Sequence, residues 1–166
     1  MDLYRLTERA MAMDDRAWAR HANPWSVFSR FAILPLFALA VWSRVWIGWG
    51  AAVPVLAVLV FTFVNPRLFA PVAGAPRGWA GKGTAGERLW LDRRTRPVPE
   101  RHVAICHVLA GLGGVGMAVL LFGLWHLDPG VTLAGLVLSM GSKAWFVDRM
   151  VWLHEDMIRT GPQDSA

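Results

Sequence analysis

The sequence predicts an all-α fold, a four-helix transmembrane bundle, from its composition and from the arrangement of its apolar residues. Hydrophobic residues make up 55% of the 166-residue chain, charged residues make up 17%, and the mean hydropathy is +0.37. These values are too apolar for an ordinary soluble domain. The apolar residues form four separate blocks. With a few flanking residues, each block reaches the roughly 20 helical residues that cross a hydrocarbon core.

The chain is predicted to form a single membrane domain, residues 1–166. Its predicted spans are residues 27–47, 50–69, 103–127 and 130–150, and residues 70–102 form the loop between the second and third spans. The first 30 residues carry five Arg and four acidic residues and lack the pattern of a cleavable secretory signal. We therefore expect the first apolar block to be retained as a span.

The segment before the first span, residues 2–20, has the spacing of an amphipathic helix. Apolar side chains recur there at alternating intervals of three and four, at Leu3, Leu6, Ala10, Met13 and Ala17. Such a helix is expected to lie on the membrane surface or against the inner ends of the bundle. Asn23 and Pro24 suit an N-cap followed by proline at the first helical position, so the first span is predicted to begin there.

The middle loop is predicted to contain a short interfacial helix. Thr84 and Glu87 have the spacing of a capping box before the apolar residues 89–91. The preceding string GKGT, which starts at Gly81, lacks the upstream Gly and the Lys-Ser/Thr pair of a phosphate-binding loop and is interpreted as a turn. The string GLGGVG at residues 111–116 lies inside an apolar span, which argues against a dinucleotide site.

Small side chains predict where the third and fourth spans pack together. In the third span they recur every four residues, at Cys106, Ala110, Gly114 and Ala118. Gly135 and Ser139 are the matching small pair in the fourth span. A stripe of small residues lets two membrane helices approach closely. This pattern predicts that a bulky residue at Gly114 is more harmful than one at Gly116.

Basic residues predict the orientation of the spans. Four precede the first span and a fifth, Arg30, lies in its first turn. Seven lie between the second and third spans and an eighth, Arg67, lies near the end of the second, whereas the connections at residues 48–50 and 128–130 carry none. The positive-inside rule therefore places both termini and the middle loop in the cytoplasm, in a multi-pass protein of the cytoplasmic membrane. The net charge of +5 is thus a topology signal. The basic loop is too short and fragmented for a nucleic-acid-binding face.

Polar residues next to the spans are predicted to meet at one cytoplasmic mouth. The predicted cluster comprises His21, Asn23, Asn65, Glu87, Lys143, Asp148, Arg149, His154 and Glu155. Lys143 lies within an apolar block, where a charge is expected to pair with a carboxylate or to serve transport or catalysis. Asp148 and Glu155 share a helical face with Trp145 and Trp152, so both acids are predicted to face the bundle, with Asp156 in solvent.

Four roles of this cluster remain open from the sequence: structural support, a ligand or metal site, an enzyme active site, and transport. The candidate metal ligands are His21, Glu87, His154 and Glu155, although no spacing among them fixes a geometry. An enzyme would use His154 or Glu155 as acid or base. Haem would require His107 and His154 at the inner ends of adjacent spans. We favour structural support or binding over an enzyme, and the cofactor is unknown.

Four strings of the sequence resemble a known family. They are RHANPWSVFSRF at residues 20–31, NPRLFAP at 65–71, GERLW at 86–90 and WFVDRMVWLHEDM at 145–157. They are similar to strings of a family of small prokaryotic integral membrane proteins classed as a domain of unknown function, and the resemblance extends over most of the chain. It implies a membrane location and no catalytic residues. The expected partners are the lipid bilayer and a second copy of the chain or another membrane protein.

Overall fold

A computed structural model describes the backbone of residues 15–160 and the side chains of residues 17–160. Throughout this part of the chain the regular structure is helical, which confirms the predicted all-α class. The helices are α1 (Asp15–His21), α2 (Pro24–Trp42), α3 (Arg44–Ile47), α4 (Ala52–Leu68), α5 (Gly78–Leu91), α6 (Glu100–His126) and α7 (Pro129–Arg159), with a 3₁₀ turn at Gly48–Ala51. Of the predicted amphipathic helix, Leu3, Leu6, Ala10 and Met13 lie outside the described residues. Ala17 lies in α1 and is buried.

Three helical segments within residues 15–160 are long and apolar enough to cross a membrane: Pro24–Leu68, Glu100–His126 and Pro129–Arg159. Their most apolar windows have mean hydropathies of 2.2, 2.1 and 1.3. Few residues of these windows are buried inside the protein, and large apolar side chains such as Leu39 and Leu56 are exposed. These properties fit a membrane protein.

The first of these segments consists of two helices that pack against each other. Near the end of α4, the Asn65 Nδ2 donates a hydrogen bond to the Ser29 Oγ at 2.7 Å, and the Ser26 Oγ donates to the Asn65 Oδ1 at 3.4 Å. Because Ser26 and Ser29 lie in the first turns of α2, the chain has reversed its direction between the two helices. α2 and α4 therefore form an antiparallel hairpin. Its turn includes Gly48 at a φ of +56°, a conformation that favours glycine.

The start of α2 agrees with the sequence prediction. The Asn23 Oδ1 accepts a hydrogen bond from the Trp25 amide at 3.0 Å, and Pro24 is the first helical residue. An equivalent arrangement begins α7, where the Asp128 Oδ1 accepts from the Val131 amide at 2.9 Å and Pro129 follows the cap. Both caps satisfy amide groups that lack partners inside the helix.

α6 and α7 form a second hairpin, and backbone contact at small residues holds it together. A Cβ at Gly116 would lie 2.6 Å from the Ser139 amide nitrogen, and one at Gly135 would lie 2.2 Å from the Leu120 nitrogen. The predicted role of Gly135 and Ser139 is therefore confirmed. The predicted small-residue stripe on α6 is wrong beyond Cys106, because Ala110, Gly114 and Ala118 are exposed.

The stripe fails because of helical geometry. Residues four apart are rotated by about 40° from one another around the helix axis. After two or three such intervals, a residue of the stripe therefore no longer faces the neighbouring helix. The observed contact alternates intervals of three and four and keeps facing α7. Its buried members on α6 are His102, Cys106, Leu109, Gly116, Leu120, Gly123 and Leu124. Gly116 consequently lies in the contact and Gly114 does not.

α5 confirms the predicted loop helix but begins earlier than the sequence indicates. Thr84 lies inside it and donates its hydroxyl to the Ala80 carbonyl at 3.0 Å, so the predicted capping box is wrong, and Gly81 lies in a helix and not in a turn. The helix is rich in glycine because it lies against the last part of α7. A Cβ at Gly86 would stand 1.8 Å from the Met150 carbonyl oxygen. Close helix contact thus overrides the low helix propensity of glycine.

The last helix extends further than the predicted fourth span. α7 has 31 residues, which corresponds to roughly 46 Å at 1.5 Å per residue. Its final part packs with α5 and the beginning of α6 around a core of Trp90, Cys106, Met150 and Leu153. This core fixes the part of α7 that carries Arg149, His154 and Glu155.

Candidate functional site

The candidate site is centred on His21, Arg30 and Glu87, which come from α1, α2 and α5. His21 is buried, with 6% of its surface exposed. Its Nε2 is in close contact with an Arg30 guanidinium nitrogen. Since arginine can only donate, the His21 Nε2 accepts this bond and the ring proton resides on Nδ1. Glu87 approaches the same ring, with its Oε2 3.9 Å from the His21 Nε2.

Arg30 connects α1 to the first turns of α2. Its Nη2 donates to the His21 carbonyl oxygen at 3.3 Å, and its Nε donates to the Ser26 carbonyl oxygen at 3.1 Å. Burial lowers the pKa of His21 from 6.5 to about 3, and the positive charges of Arg30 and Lys143 act in the same direction. His21 is therefore neutral at physiological pH. The guanidinium of Arg30 keeps its positive charge.

A cavity of about 160 Å³ lies beside this cluster, between α2, α5 and α7. Its lining consists of Val27, Arg30, Phe31, Gly83, Thr84, Glu87, Lys143, Phe146 and Val147. Lys143 is exposed on α7, yet its Nζ lies 5.2 Å from the centroid of the Phe31 ring, in a cation–π contact. The predicted Lys143–carboxylate ion pair is not formed among the described residues. The cavity carries two cations, Arg30 and Lys143, and one carboxylate, Glu87.

Two of the predicted cluster residues hold the first hairpin together. Asn65 is fully buried between Ser26 and Ser29. The Asn23 Nδ2 donates to the Ala70 carbonyl oxygen at 3.1 Å, which attaches the chain after α4 to the start of α2. These amides satisfy buried or terminal backbone and hydroxyl groups. Both positions have a structural explanation.

Asp148 and Glu155 both contact α5, as expected for two residues on one helical face. The Asp148 Oδ1 accepts a hydrogen bond from the Trp79 Nε1 at 3.3 Å, and the Glu155 Oε1 lies 2.7 Å from the Lys82 Nζ. Trp145 and Trp152, predicted to share this face, are 55% and 53% exposed. This face of α7 therefore lies at the edge of the contact between α5 and α7 and not at its centre.

Asp156 differs from its prediction, because it is not a solvated residue. Its Oδ2 accepts hydrogen bonds from the His102 Nε2 and from the Arg101 Nη2, both at 2.7 Å. His102 is only 2% exposed. Sequence reasoning missed His102 because a single His at the start of a span has no distinguishing spacing. Arg149, a predicted cluster member, stacks on Trp152 with its guanidinium carbon 4.7 Å from the ring centroid.

The candidate metal and haem ligands are distributed over separate contacts. His107 is exposed and meets the Trp90 ring edge-on at 5.7 Å. His154 is half-buried and lines a groove with Arg88 and Asp92. Among residues 17–160, no three His, Cys, Asp or Glu side chains are grouped closely enough to hold a metal ion. Two of the acidic residues nearby form ion pairs, Glu155 with Lys82 and Asp156 with Arg101.

Comparison with known proteins identifies a family. A family model described as a family of unknown function (DUF6653) matches residues 4–166, so the chain belongs to this family. The predicted resemblance to a domain of unknown function is thereby confirmed. The searches of curated proteins and of solved structures returned no match.

Proposed function

We propose that this DUF6653 protein crosses the cytoplasmic membrane four times and binds a small carboxylate anion in the cavity between Arg30, Lys143 and Glu87. Two antiparallel hairpins, α2–α4 and α6–α7, supply the four crossings. α2 and α4 have 19 and 17 residues, close to the length that a bilayer requires. The exposed apolar side chains of these helices would be covered by lipid tails.

The positions of the exposed tryptophan side chains support the proposal that the protein has two membrane interfaces. Trp25, Trp145 and Trp152 are exposed near the end that carries α5, and Trp46, Trp49 and Trp125 are exposed near the opposite end. Aromatic rings concentrate at both interfaces of membrane proteins. Arg44 at the opposite end donates to the Trp125 carbonyl oxygen at 2.7 Å, so its charge caps the end of α6.

The distribution of basic residues supports the orientation. The end of the molecule that carries α5 contains the basic loop and the two chain ends of the described region. The turns at the other end contain Arg44 and no Lys. By the positive-inside rule, α5, both termini and the cavity mouth lie on the cytoplasmic side.

The excess positive charge of the cavity supports the choice of ligand. Glu87 is the one carboxylate among the described residues that line the cavity, and the lining also includes Arg30 and Lys143. His21 is neutral, so the lining carries one more basic than acidic side chain. Lys143 is exposed on a part of α7 that lipid would surround in the proposed membrane arrangement, and a charge that is removed from water needs a partner. The rest of the wall is mainly apolar, with Val27 and Phe146 among its members. A short monocarboxylate satisfies the cation with its oxygen atoms and places its hydrocarbon part on this wall.

The proposal is tested by thermal unfolding of the full-length protein in detergent. Acetate, propionate and butyrate are added at equal ionic strength, with chloride as the reference anion. We expect a saturable rise in the melting temperature with a carboxylate, because a ligand that binds only the folded state stabilises it. Lys143→Met should remove this rise, and Arg96→Gln, a loss of charge outside the cavity, should retain it.

Two results would contradict the ligand assignment. One is an equal response to chloride and to the carboxylates, which would indicate a general salt effect. The other is an unchanged response in Lys143→Met. In either case the cluster of His21, Arg30 and Glu87 would retain only its structural role of joining α1, α2 and α5.

A further inference from the structure

A second basic groove lies away from the cavity, between the start of α6 and the end of α7. Its volume is about 480 Å³. Three arginines line it: Arg101 from α6, and Arg149 and Arg159 from α7. His102, Trp152, Glu155 and Asp156 complete most of the lining.

The two carboxylates of the groove already have partners. Asp156 is held by the buried His102 and by Arg101, each at 2.7 Å. Glu155 forms its ion pair with Lys82 at 2.7 Å. Arg149 and Arg159 make no ion pair within 4.0 Å among residues 17–160. Glu155 lies one helical turn before Arg159 and interacts with its charge at longer range, but Glu155 is already paired with Lys82. The groove therefore has two arginines that form no ion pair of their own within residues 17–160.

Arg149 is oriented by its neighbours in a way that suits an oxyanion. Its guanidinium carbon lies over the Trp152 ring, 4.7 Å from the centroid, and its Nε is buried without a hydrogen-bond partner in the described region. A buried donor without a partner is costly, and a stacked guanidinium keeps its outer N–H groups available. Arginine donors arranged in this way match the oxygen atoms of a phosphate group.

The position of Arg149 along α7 indicates the source of the phosphate. Pro129 begins the helix, and 20 residues separate it from Arg149, which corresponds to about 30 Å, the thickness of a hydrocarbon core. Arg149 and the half-exposed Trp152 thus lie at the depth of the lipid headgroups. Arg159 lies almost three helical turns further into the aqueous phase.

We infer that this groove binds the phosphate of an anionic phospholipid headgroup on the cytoplasmic side, with Arg149 as the donor at headgroup depth and Arg159 as a second cation of the same groove. Arg101 remains engaged with Asp156, and the His102–Asp156 pair fixes the wall of the groove. The inference rests on the proposed membrane insertion, but it does not depend on the carboxylate site.

The test uses full-length protein in detergent with mixed micelles of phosphatidylglycerol or phosphatidylcholine, and inorganic phosphate at the same concentration. Native mass spectrometry counts the retained lipids, and thermal unfolding gives the apparent affinity. We expect retention of phosphatidylglycerol and a rise in melting temperature. In Arg149→Gln/Arg159→Gln the apparent affinity should fall by about tenfold or more, as expected for the loss of charge-assisted contacts.

Matched controls make the result specific. Arg77→Gln/Arg96→Gln removes the same charge outside the groove and should retain the lipid as the wild type does. Arg159 is exposed, so Arg159→Gln alone should fold and give a smaller loss of affinity than the double variant.

Three results would overturn the inference: equal retention of both lipids, equal loss in the two double variants, or an equal rise in melting temperature with inorganic phosphate. Failure of membrane insertion is recognised separately, because the protein would then remain soluble without detergent before any lipid is added.

Discussion

His21 is a buried histidine whose neutral form is required by its neighbours. Arg30 donates to its Nε2, and Arg30 and Lys143 both disfavour a positive charge on the ring. Because the pKa in the folded protein, about 3, lies below the ordinary value of 6.5, the unfolded chain binds the extra proton first. The contribution of neutral His21 to the free energy of unfolding is therefore fully present above pH 6.5. It falls as the pH decreases toward 3, by up to about 1.4 kcal/mol per pH unit.

We expect His21→Gln to reduce this loss of stability. Glutamine offers Arg30 an acceptor and does not titrate. Thermal unfolding in detergent between pH 7 and pH 5 measures the slope for the wild type, His21→Gln and the exposed-residue control His107→Gln. Parallel slopes for all three proteins would show that His21 does not control the acid sensitivity.

Asp156 and Glu155 are neighbours in the sequence with different contacts. Asp156 satisfies a nearly fully buried His102, whereas Glu155 pairs with Lys82, whose side chain is 38% exposed. We expect Asp156→Asn to weaken this contact and cost about 1–3 kcal/mol, because the buried imidazole loses its anionic partner. Glu155→Gln should cost less, since surface pairs contribute little.

The measurement is thermal unfolding of the two single variants and of Asp156→Asn in the background of His102→Phe. If the effect of Asp156→Asn arises from the loss of its contact with His102, this substitution should lower the melting temperature little in a protein that already carries His102→Phe. Equal melting temperatures for Asp156→Asn and Glu155→Gln would contradict the role assigned to the buried pair.

At the scale of elements, the hairpin of α6 and α7 depends on backbone contact at Gly116. We expect Gly116→Ala to destabilise the protein by about 1–3 kcal/mol, because the new Cβ would have to displace the backbone of α7 at Ser139. Gly114→Ala is the matched control. It has open space around the position and should be neutral or stabilising, by up to about 1 kcal/mol.

This ranking is the reverse of the one that the four-residue spacing predicts. Melting temperatures of Gly114→Ala and Gly116→Ala in the same detergent decide between them. A lower melting temperature for Gly114→Ala would restore the sequence-based stripe and contradict the observed packing of α6 on α7.

α5 shows why a local pattern is a poor guide to a short helix. Its glycines reduce intrinsic helix propensity, and Thr84 and Glu87 imitate a helix start in the middle of the element. The helix begins at Gly78 because the whole segment packs on α7, where Gly83 and Gly86 leave room for Val147 and Met150. Tertiary contact therefore decided the boundary of α5.

For the whole molecule, reporter fusions test the proposed arrangement of the spans. Fusions at Arg96 and after Ala166 should report the cytoplasm, and fusions at Gly48 and Asp128 should report the opposite side. The expected pattern follows from the distribution of basic residues and from two hairpins that each return to the same side.

The Gly48 and Arg96 fusions distinguish a hairpin from a single crossing by residues 24–68. Opposite signals at these positions support two crossings, since the chain would pass from the outside at Gly48 to the inside at Arg96. An outside signal at Arg96 would contradict the proposed orientation, whatever the outcome at Asp128.

The sequence by itself determined the all-helical class, the membrane-compatible segments and the helix start at Asn23. These properties are local: apolar composition over about 20 residues, a capping side chain and an adjacent proline depend on neighbours in the chain. Three residues of the candidate site, His21, Glu87 and Lys143, could also be named, because polar residues next to spans are few.

Only the tertiary structure decided which of these side chains meet. His102 and Asp156 are 54 residues apart, and Asp156 and Glu155 differ by about 100° around α7, so their contacts depend on the rotation and depth of packed helices. The same rotation placed Gly116, and not Gly114, against Ser139. A periodic pattern gives a face within a few tens of degrees, whereas a hydrogen bond or a backbone contact requires atomic positions that only packing supplies.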